Sequence, residues 1–151
     1  MLTAKDMMNT NPEHCSLDTP IQTIMQQFAD KHMDYLLVLD EEQRLQGMIT
    51  EADLIEQQAN FHIPTAIAIF DMVVPFGEDK FEEEIKRLEA LTAQELMNTD
   101  LKTVSPDTTL NDLASIMSDA HVYHLPVING DNVEGLVSKH DVIKALAARK
   151  P

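Results

Sequence analysis

Two short stretches carry residues whose types and spacing suit recognition of a small anionic ligand. Gly135-Leu136-Val137-Ser138-Lys139-His140-Asp141 and Gly47-Met48-Ile49-Thr50-Glu51-Ala52-Asp53 each run glycine, two large apolar residues, a small hydroxyl residue, two variable positions and an aspartate. The apolar pair reads as the end of a buried strand and the residues after it as a helix, so the hydroxyl stands where the helix begins. It can cap that helix, whose unpaired N–H groups and positive dipole end attract an anion. An aspartate on the first helical turn offers acceptor oxygens that could hold the paired hydroxyls of a ribose. Thr50 or Ser138 followed by Asp is also an ordinary capped helix start. The recurrence of the whole stretch is what points past that plainer reading.

Other chemistries find less support. His14, His32, His62, His121, His124 and His140 show no tight helical ligand pair backed by a carboxylate, and His121 and His124 should straddle a helix end and a strand start, so no metal site is expected. Cys15 stands in no basic context and no Gly-x-Ser-x-Gly elbow occurs, so no nucleophile is expected. With 4 glycines in the chain there is no Walker or dinucleotide loop, and the 9 methionines fit an adaptable core.

The elements that must position the motifs follow from the whole chain. Its 151 residues are near the size of one domain, and 44% hydrophobic and 25% charged residues are the balance of a soluble globular protein. A formal net charge of -15 argues against nucleic acid or an anionic membrane as the main partner. Any anionic ligand must then meet locally concentrated positive charge. A single cysteine, no visible secretory signal, and an apolar run from Ile63 to Phe76 broken by Pro64, Asp71 and Pro75 lead to the expectation of a cytoplasmic protein with no membrane insertion.

The chain reads as repeat, insert and repeat. Thr3-Ala4-Lys5-Asp6-Met7-Met8-Asn9-Thr10 returns as Thr92-Ala93-Gln94-Glu95-Leu96-Met97-Asn98-Thr99, and Ser16-Leu17-Asp18-Thr19 as Ser105-Pro106-Asp107-Thr108. Asp30 and His32 return as Asp119 and His121, Leu36 and Val38 as Leu125 and Val127. The boundaries expected are 1–57 for the first repeat, 58–91 for an insert with one helix, and 92–151 for the second repeat. Within each copy the pattern is helix, strand, strand, helix. Thr19 should cap a helix with Pro20 in its first position and Gln22 completing a capping box; Ile21, Ile24, Met25 and Phe28 share its face, as do Leu110, Leu113, Ala114 and Met117 later. Tyr35–Leu39 and His124–Ile128 have the length of buried strands, and turn chemistry at 40–44 and 129–132 joins each to the strand that ends in the motif. A helix should follow over Glu51–Ala59 or Lys139–Arg149. In the insert, Asp79 can cap a helix with Phe81, Ile85 and Leu88 on one face, supported by Glu82 with Lys86 and Glu83 with Arg87. The stretch 63–76 is expected to pack on the protein.

Two helix–strand–strand–helix units, each ending in Gly-apolar-apolar-Thr/Ser-x-x-Asp, with His-Leu-Pro-Val-Ile at 124–128, resemble a tandem pair of cystathionine-β-synthase (CBS) domains of the stand-alone bacterial type. The resemblance covers nearly all of the chain outside the insert. It implies an α/β fold of two pseudo-symmetric repeats packed as one module, with clefts between the repeats that bind adenosine derivatives such as AMP, ADP, ATP or S-adenosylmethionine. It also implies a homodimer, a regulated protein partner, no required cofactor and no catalysis.

Carried over by position, Asp53 and Asp141 would hold ribose, Thr50 and Ser138 would lie beside ribose or phosphate, and Gly47 and Gly135 would let the backbone approach the ligand. The backbone near Cys15 or Val104 would line an adenine slot. The copies then part company: the second has Tyr123, His124, Lys139 and His140 where the first has Asp34, Tyr35, Glu51 and Ala52. One charge about 4 Å from a phosphate is worth roughly 4 kcal/mol at an effective dielectric of about 20, before screening. The second motif is therefore expected to serve a nucleotide, and the first to stay empty or take a neutral or cationic adenosyl group. The alternative is a dimerising scaffold, for a separate enzyme or transporter, that has lost ligand binding.

Overall fold

In the computed structural model of the chain, residues 1–60 and 91–148 are described. The expected insert helix and the stretch 63–76 lie outside them. The chain forms two compact units, one of Met1–His14, Leu39–Leu45 and Asp100–Pro151, the other of Cys15–Val38 and Gln46–Thr99. Among the described residues, six helices and five strands alternate: α1 (Ala4–Met7), β1 (His14–Ser16), α2 (Ile21–Lys31), β2 (Tyr35–Leu39), β3 (Leu45–Thr50), α3 (Glu51–Asn60), α4 (Ala93–Leu96), α5 (Leu110–Ala120), β4 (His124–Asn129), β5 (Asn132–Ser138) and α6 (Lys139–Ala148).

Sequence repeat and compact unit do not coincide. The segment that opens the first repeat packs in the unit of the second, and the segment that opens the second repeat packs in the unit of the first. In one unit Ala4 N donates to Thr108 O at 2.8 Å and Leu110 N to Leu2 O at 3.0 Å; in the other Ala93 N donates to Thr19 O at 2.9 Å and Ile21 N to Leu91 O at 3.0 Å. The exchange has a packing reason. A helix–strand–strand–helix unit alone buries too little surface for firm stability. Fully buried Ala4 joins a cluster with Val104, Leu110, Leu113, Met117, Leu125, Val127, Val137 and Val142. Buried Ala93 and Leu96 join the corresponding cluster around Ile21, Ile24, Phe28, Leu36, Val38 and Ile49.

The same extra segments finish each sheet. Strands β4 and β5 pair antiparallel with His124 opposite Ser138, Val104 bridges Val127 in parallel at one edge, and Asn9 bridges Leu136 at the other. In the other unit the sheet order is β1-β2-β3, with Asn98 bridging Met48. The two-residue turn between β4 and β5 needs a left-handed residue, and Gly130 supplies it with φ 65°.

The expected cap on α2 is corrected. Pro20, not Thr19, flanks the helix and makes no side-chain cap, while the Thr19 hydroxyl accepts from Ser16 N at 3.1 Å and closes the preceding turn. At the matching place in the second repeat Thr109 does cap α5, accepting from Asp112 N at 3.2 Å. Both helices end on a histidine in the left-handed region, His32 with φ 51° and His121 with φ 53°. Histidine is among the few non-glycine residues that adopt this conformation with any frequency.

The short helices α1 and α4 within the docked segments are fixed by reciprocal capping. Thr3 N donates to Asp6 Oδ2 at 2.9 Å, and Thr92 N and its hydroxyl donate to Glu95 Oε2. These backbone bonds, foremost, hold Asp6 below its ordinary 3.8 and Glu95 below its ordinary 4.5. A depressed carboxyl contributes stability that is present above its unfolded value and is lost as pH falls through the folded one. The stability difference between wild type and Glu95→Ala should therefore be full at pH 7 and vanish as acid titrates the cap, below pH 4.5. Thermal melts of both proteins across that range check it.

Candidate functional site

Strand β5 ends at Ser138 and α6 starts at Lys139, so the second motif is a strand-to-helix junction. Ser138 N donates to Asp141 Oδ2 at 2.9 Å, the Ser138 hydroxyl donates to the same oxygen at 3.0 Å, and Asp141 N donates back to Ser138 Oγ at 3.3 Å. The plain capping reading and the ligand reading are thus compatible. The cap fixes the carboxylate, and the bonds that fix it all use Oδ2. A grip on ribose through both oxygens, as the motif implies, would compete with the cap; Oδ1 is the oxygen left to face a ligand.

Register brings the other residues of this motif to the same end of the hairpin. His124 opens β4 opposite Ser138, and Tyr123 precedes it. Lys139 N donates to Tyr123 O at 2.9 Å, and Lys139 Nζ lies 5.0 Å from the centroid of the Tyr123 ring. Lys139 and His140 are exposed on the first turn of α6, while Asp141 is half-buried. His121, at the end of α5, and His124, at the start of β4, occupy different elements as expected.

The first motif repeats the junction with other charges. Thr50 N and its hydroxyl donate to Asp53 Oδ2 at 2.8 and 3.0 Å, and Asp53 N donates to Thr50 Oγ1 at 3.4 Å. Exposed Glu51 stands where the second motif has Lys139, and exposed Asp34 where it has Tyr123. Buried Cys15 lies on β1, and burial, only partly offset by a Thr19 hydrogen bond, pushes its thiol up to about 11. At neutral pH it is a protonated core residue rather than a nucleophile.

The motif glycines receive a role that the sequence reading assigned to a ligand. A Cβ on Gly135 would stand 2.6 Å from Asn9 O and 2.8 Å from Met8 Sδ; one on Gly47 would stand 2.6 to 2.8 Å from Met97 side-chain atoms. Close backbone approach is indeed what the glycines permit, but the chain that approaches is the exchanged segment. Asn9 and Leu136 exchange backbone bonds of 2.9 and 3.0 Å, as do Asn98 and Met48 at 2.9 and 3.1 Å. Sequence reasoning missed Met8, Asn9, Met97 and Asn98 as neighbours of the motifs. Their signal was present in the repeated Met-Asn-Thr at 8–10 and 97–99.

Comparison with known proteins agrees with this architecture. The CBS domain family profile matches residues 4–60 and 93–148, and the chain belongs to that family as a tandem pair. It is 23% identical over 138 residues to an uncharacterized protein of Methanocaldococcus jannaschii, covering 85% of this chain and 82% of that one. It is also 23% identical over 137 residues to the inosine-5'-monophosphate dehydrogenase of Nitrosopumilus maritimus, covering 90% of this chain but only 22% of that enzyme. Among solved structures, CBSX2 in complex with AMP superposes with a TM-score of 0.74 at 17% identity, covering 97% of each chain. A CBS-domain-containing protein from Agrobacterium tumefaciens gives 0.71 at 18%, covering 95% of this chain and 92% of that one. These likenesses establish the fold. CBS pairs are regulatory modules that commonly bind adenosine ligands, and are generally not catalytic. No helix among the described residues is long and apolar enough to cross a membrane.

Proposed function

We propose that the chain is a ligand-sensing module whose second motif binds a phosphate-bearing adenosine ligand of the AMP, ADP or ATP kind. The observation that carries this is the Ser138–Asp141 cap, which presents a fixed carboxylate beside the exposed Lys139 at a helix start. In this reading Asp141 Oδ1 accepts from a ribose hydroxyl, Ser138 lies beside the sugar, and the Lys139 and His140 side chains at the positive end of α6 face the phosphate. Val104 and His124 border the base and sugar. The AMP complex of a protein with the same fold supports the ligand class. The first motif keeps the same cap through Thr50 and Asp53, but Glu51 and Asp34 oppose phosphate there, so it stays empty or takes a neutral or cationic adenosyl group such as S-adenosylmethionine.

Occupancy shifts the conformational balance of the module only by the ligand's differential affinity for its states. A second copy of the chain or a regulated protein reads the shift. A thermal-shift panel of adenosine, AMP, ADP, ATP and S-adenosylmethionine tests the reading. A ligand at about a hundredfold its dissociation constant adds roughly 2.7 kcal/mol to the folded state, a rise of several degrees. Phosphate-bearing ligands should raise the melting temperature more than adenosine does. A flat panel, with and without magnesium, contradicts the reading and favours a ligand-free dimerising scaffold.

A further inference from the structure

The phosphate preference of the second motif has a further determinant, resting on the nucleotide reading above. We propose that Tyr123 is a positioning residue: its ring holds the Lys139 ammonium beside the Ser138–Asp141 cap, and this sets the selectivity of the site for phosphate-bearing over uncharged adenosine ligands.

Lysine is a poor selector by itself, because its charge rides on a flexible four-carbon stem that must be ordered when a phosphate arrives. Here the structure sets that charge against a ring. The Lys139 Nζ lies 5.0 Å from the Tyr123 ring centroid, within the range of a cation–π contact. The pairing is also enforced locally, since the Lys139 backbone N–H donates to Tyr123 O at 2.9 Å and ties the start of α6 to the residue before β4. The ring face holds the ammonium without neutralising it, and the donors not turned toward the ring remain for phosphate oxygens. Among the described residues no carboxylate pairs with Lys139. The arrangement explains why a tyrosine with 45% of its surface exposed stands at this place. The first motif has Asp34 in place of the ring and Glu51 in place of the cation, so both halves of the device are absent together.

The test is calorimetric titration of AMP and adenosine into wild type, Tyr123→Phe, Tyr123→Leu, Lys139→Met and the Leu/Met double variant. Sparing the cost of ordering one long side chain at the site corresponds to about a two- to tenfold change in affinity. Tyr123→Leu should weaken AMP by that factor and leave adenosine unchanged; Tyr123→Phe should behave as wild type. The double variant should bind AMP no more weakly than Lys139→Met. Equal losses for AMP and adenosine would mean that Tyr123 touches the nucleoside, and unchanged AMP affinity in Tyr123→Leu would mean that the ring does nothing for Lys139. Either overturns the assignment while leaving the nucleotide reading intact. Wild type that binds neither compound overturns the nucleotide reading and this assignment with it. Ring-current shifts of the Lys139 side-chain protons in the ligand-free protein give an independent readout. They should be present in wild type and Tyr123→Phe and lost in Tyr123→Leu; their absence from wild type contradicts the proposal.

Discussion

Asp141→Ala weakens AMP binding by roughly tenfold to a hundredfold and lowers the stability of the fold by about 1 kcal/mol. The first effect follows from losing a hydrogen bond to a charged acceptor, worth about 1.5 to 3 kcal/mol. The second follows from the cap, because the same side chain accepts from both Ser138 N and the Ser138 hydroxyl, and loss of a cap costs about 0.5 to 2 kcal/mol. Destabilisation and lost binding could be confused. Asp53→Ala separates them, since it removes the equivalent cap on Thr50 from a motif where Glu51 stands in for Lys139. It should cost about the same stability, within a few tenths of a kcal/mol, and leave AMP affinity as in wild type. Denaturant unfolding and calorimetric titration of both variants check the pair; equal AMP affinity in Asp141→Ala and wild type would refute the site.

Gly135→Ala should destabilise the protein by about 1 to 3 kcal/mol, the usual cost of overpacking. The added methyl would stand 2.6 Å from Asn9 O, a backbone atom that already bonds to Leu136 N at 3.0 Å. Relief requires moving the docked segment 2–10, and with it Ala4 out of its cluster. Met8→Ala should therefore fail to rescue Gly135→Ala. The matching pair behaves differently: the atoms nearest a Cβ on Gly47 are Met97 Sδ at 2.6 Å and Cγ at 2.7 Å. Met97→Ala removes both and should recover part of the loss in Gly47→Ala. Wild-type stability of Gly135→Ala in urea would show that the segment does not dock as described.

Much of this architecture was legible because it rests on local rules. The apolar faces of α2 and of α5, the strand runs at 35–39 and 124–128, and the Ser/Thr-x-x-Asp junctions all appear in the structure, and each is encoded by periodicity or capping within a dozen residues. Duplication doubled every signal. What sequence did not disclose was non-local. Nothing in Thr3 to Asn9 says that these residues complete the unit of the second repeat, because their bonds to Thr108 and Leu136 cross about a hundred residues of chain. The glycines illustrate the consequence. The resemblance implies that Gly47 and Gly135 make room for a ligand, whereas a Cβ on either would meet Met8, Asn9 or Met97. Thr19 failed as a cap for a local reason, since its hydroxyl had a competing partner in Ser16 N. The Tyr123–Lys139 contact depends on how α6 leaves β5, and the sequence showed only that both residues were near the motif.

The most direct measurement is a calorimetric titration of AMP into the purified wild-type chain. One AMP per chain should bind, with an affinity that falls in Lys139→Met and collapses in Asp141→Ala but persists in Asp53→Ala. Absence of binding by AMP, or binding that survives Asp141→Ala undiminished, would contradict a nucleotide site at the second motif.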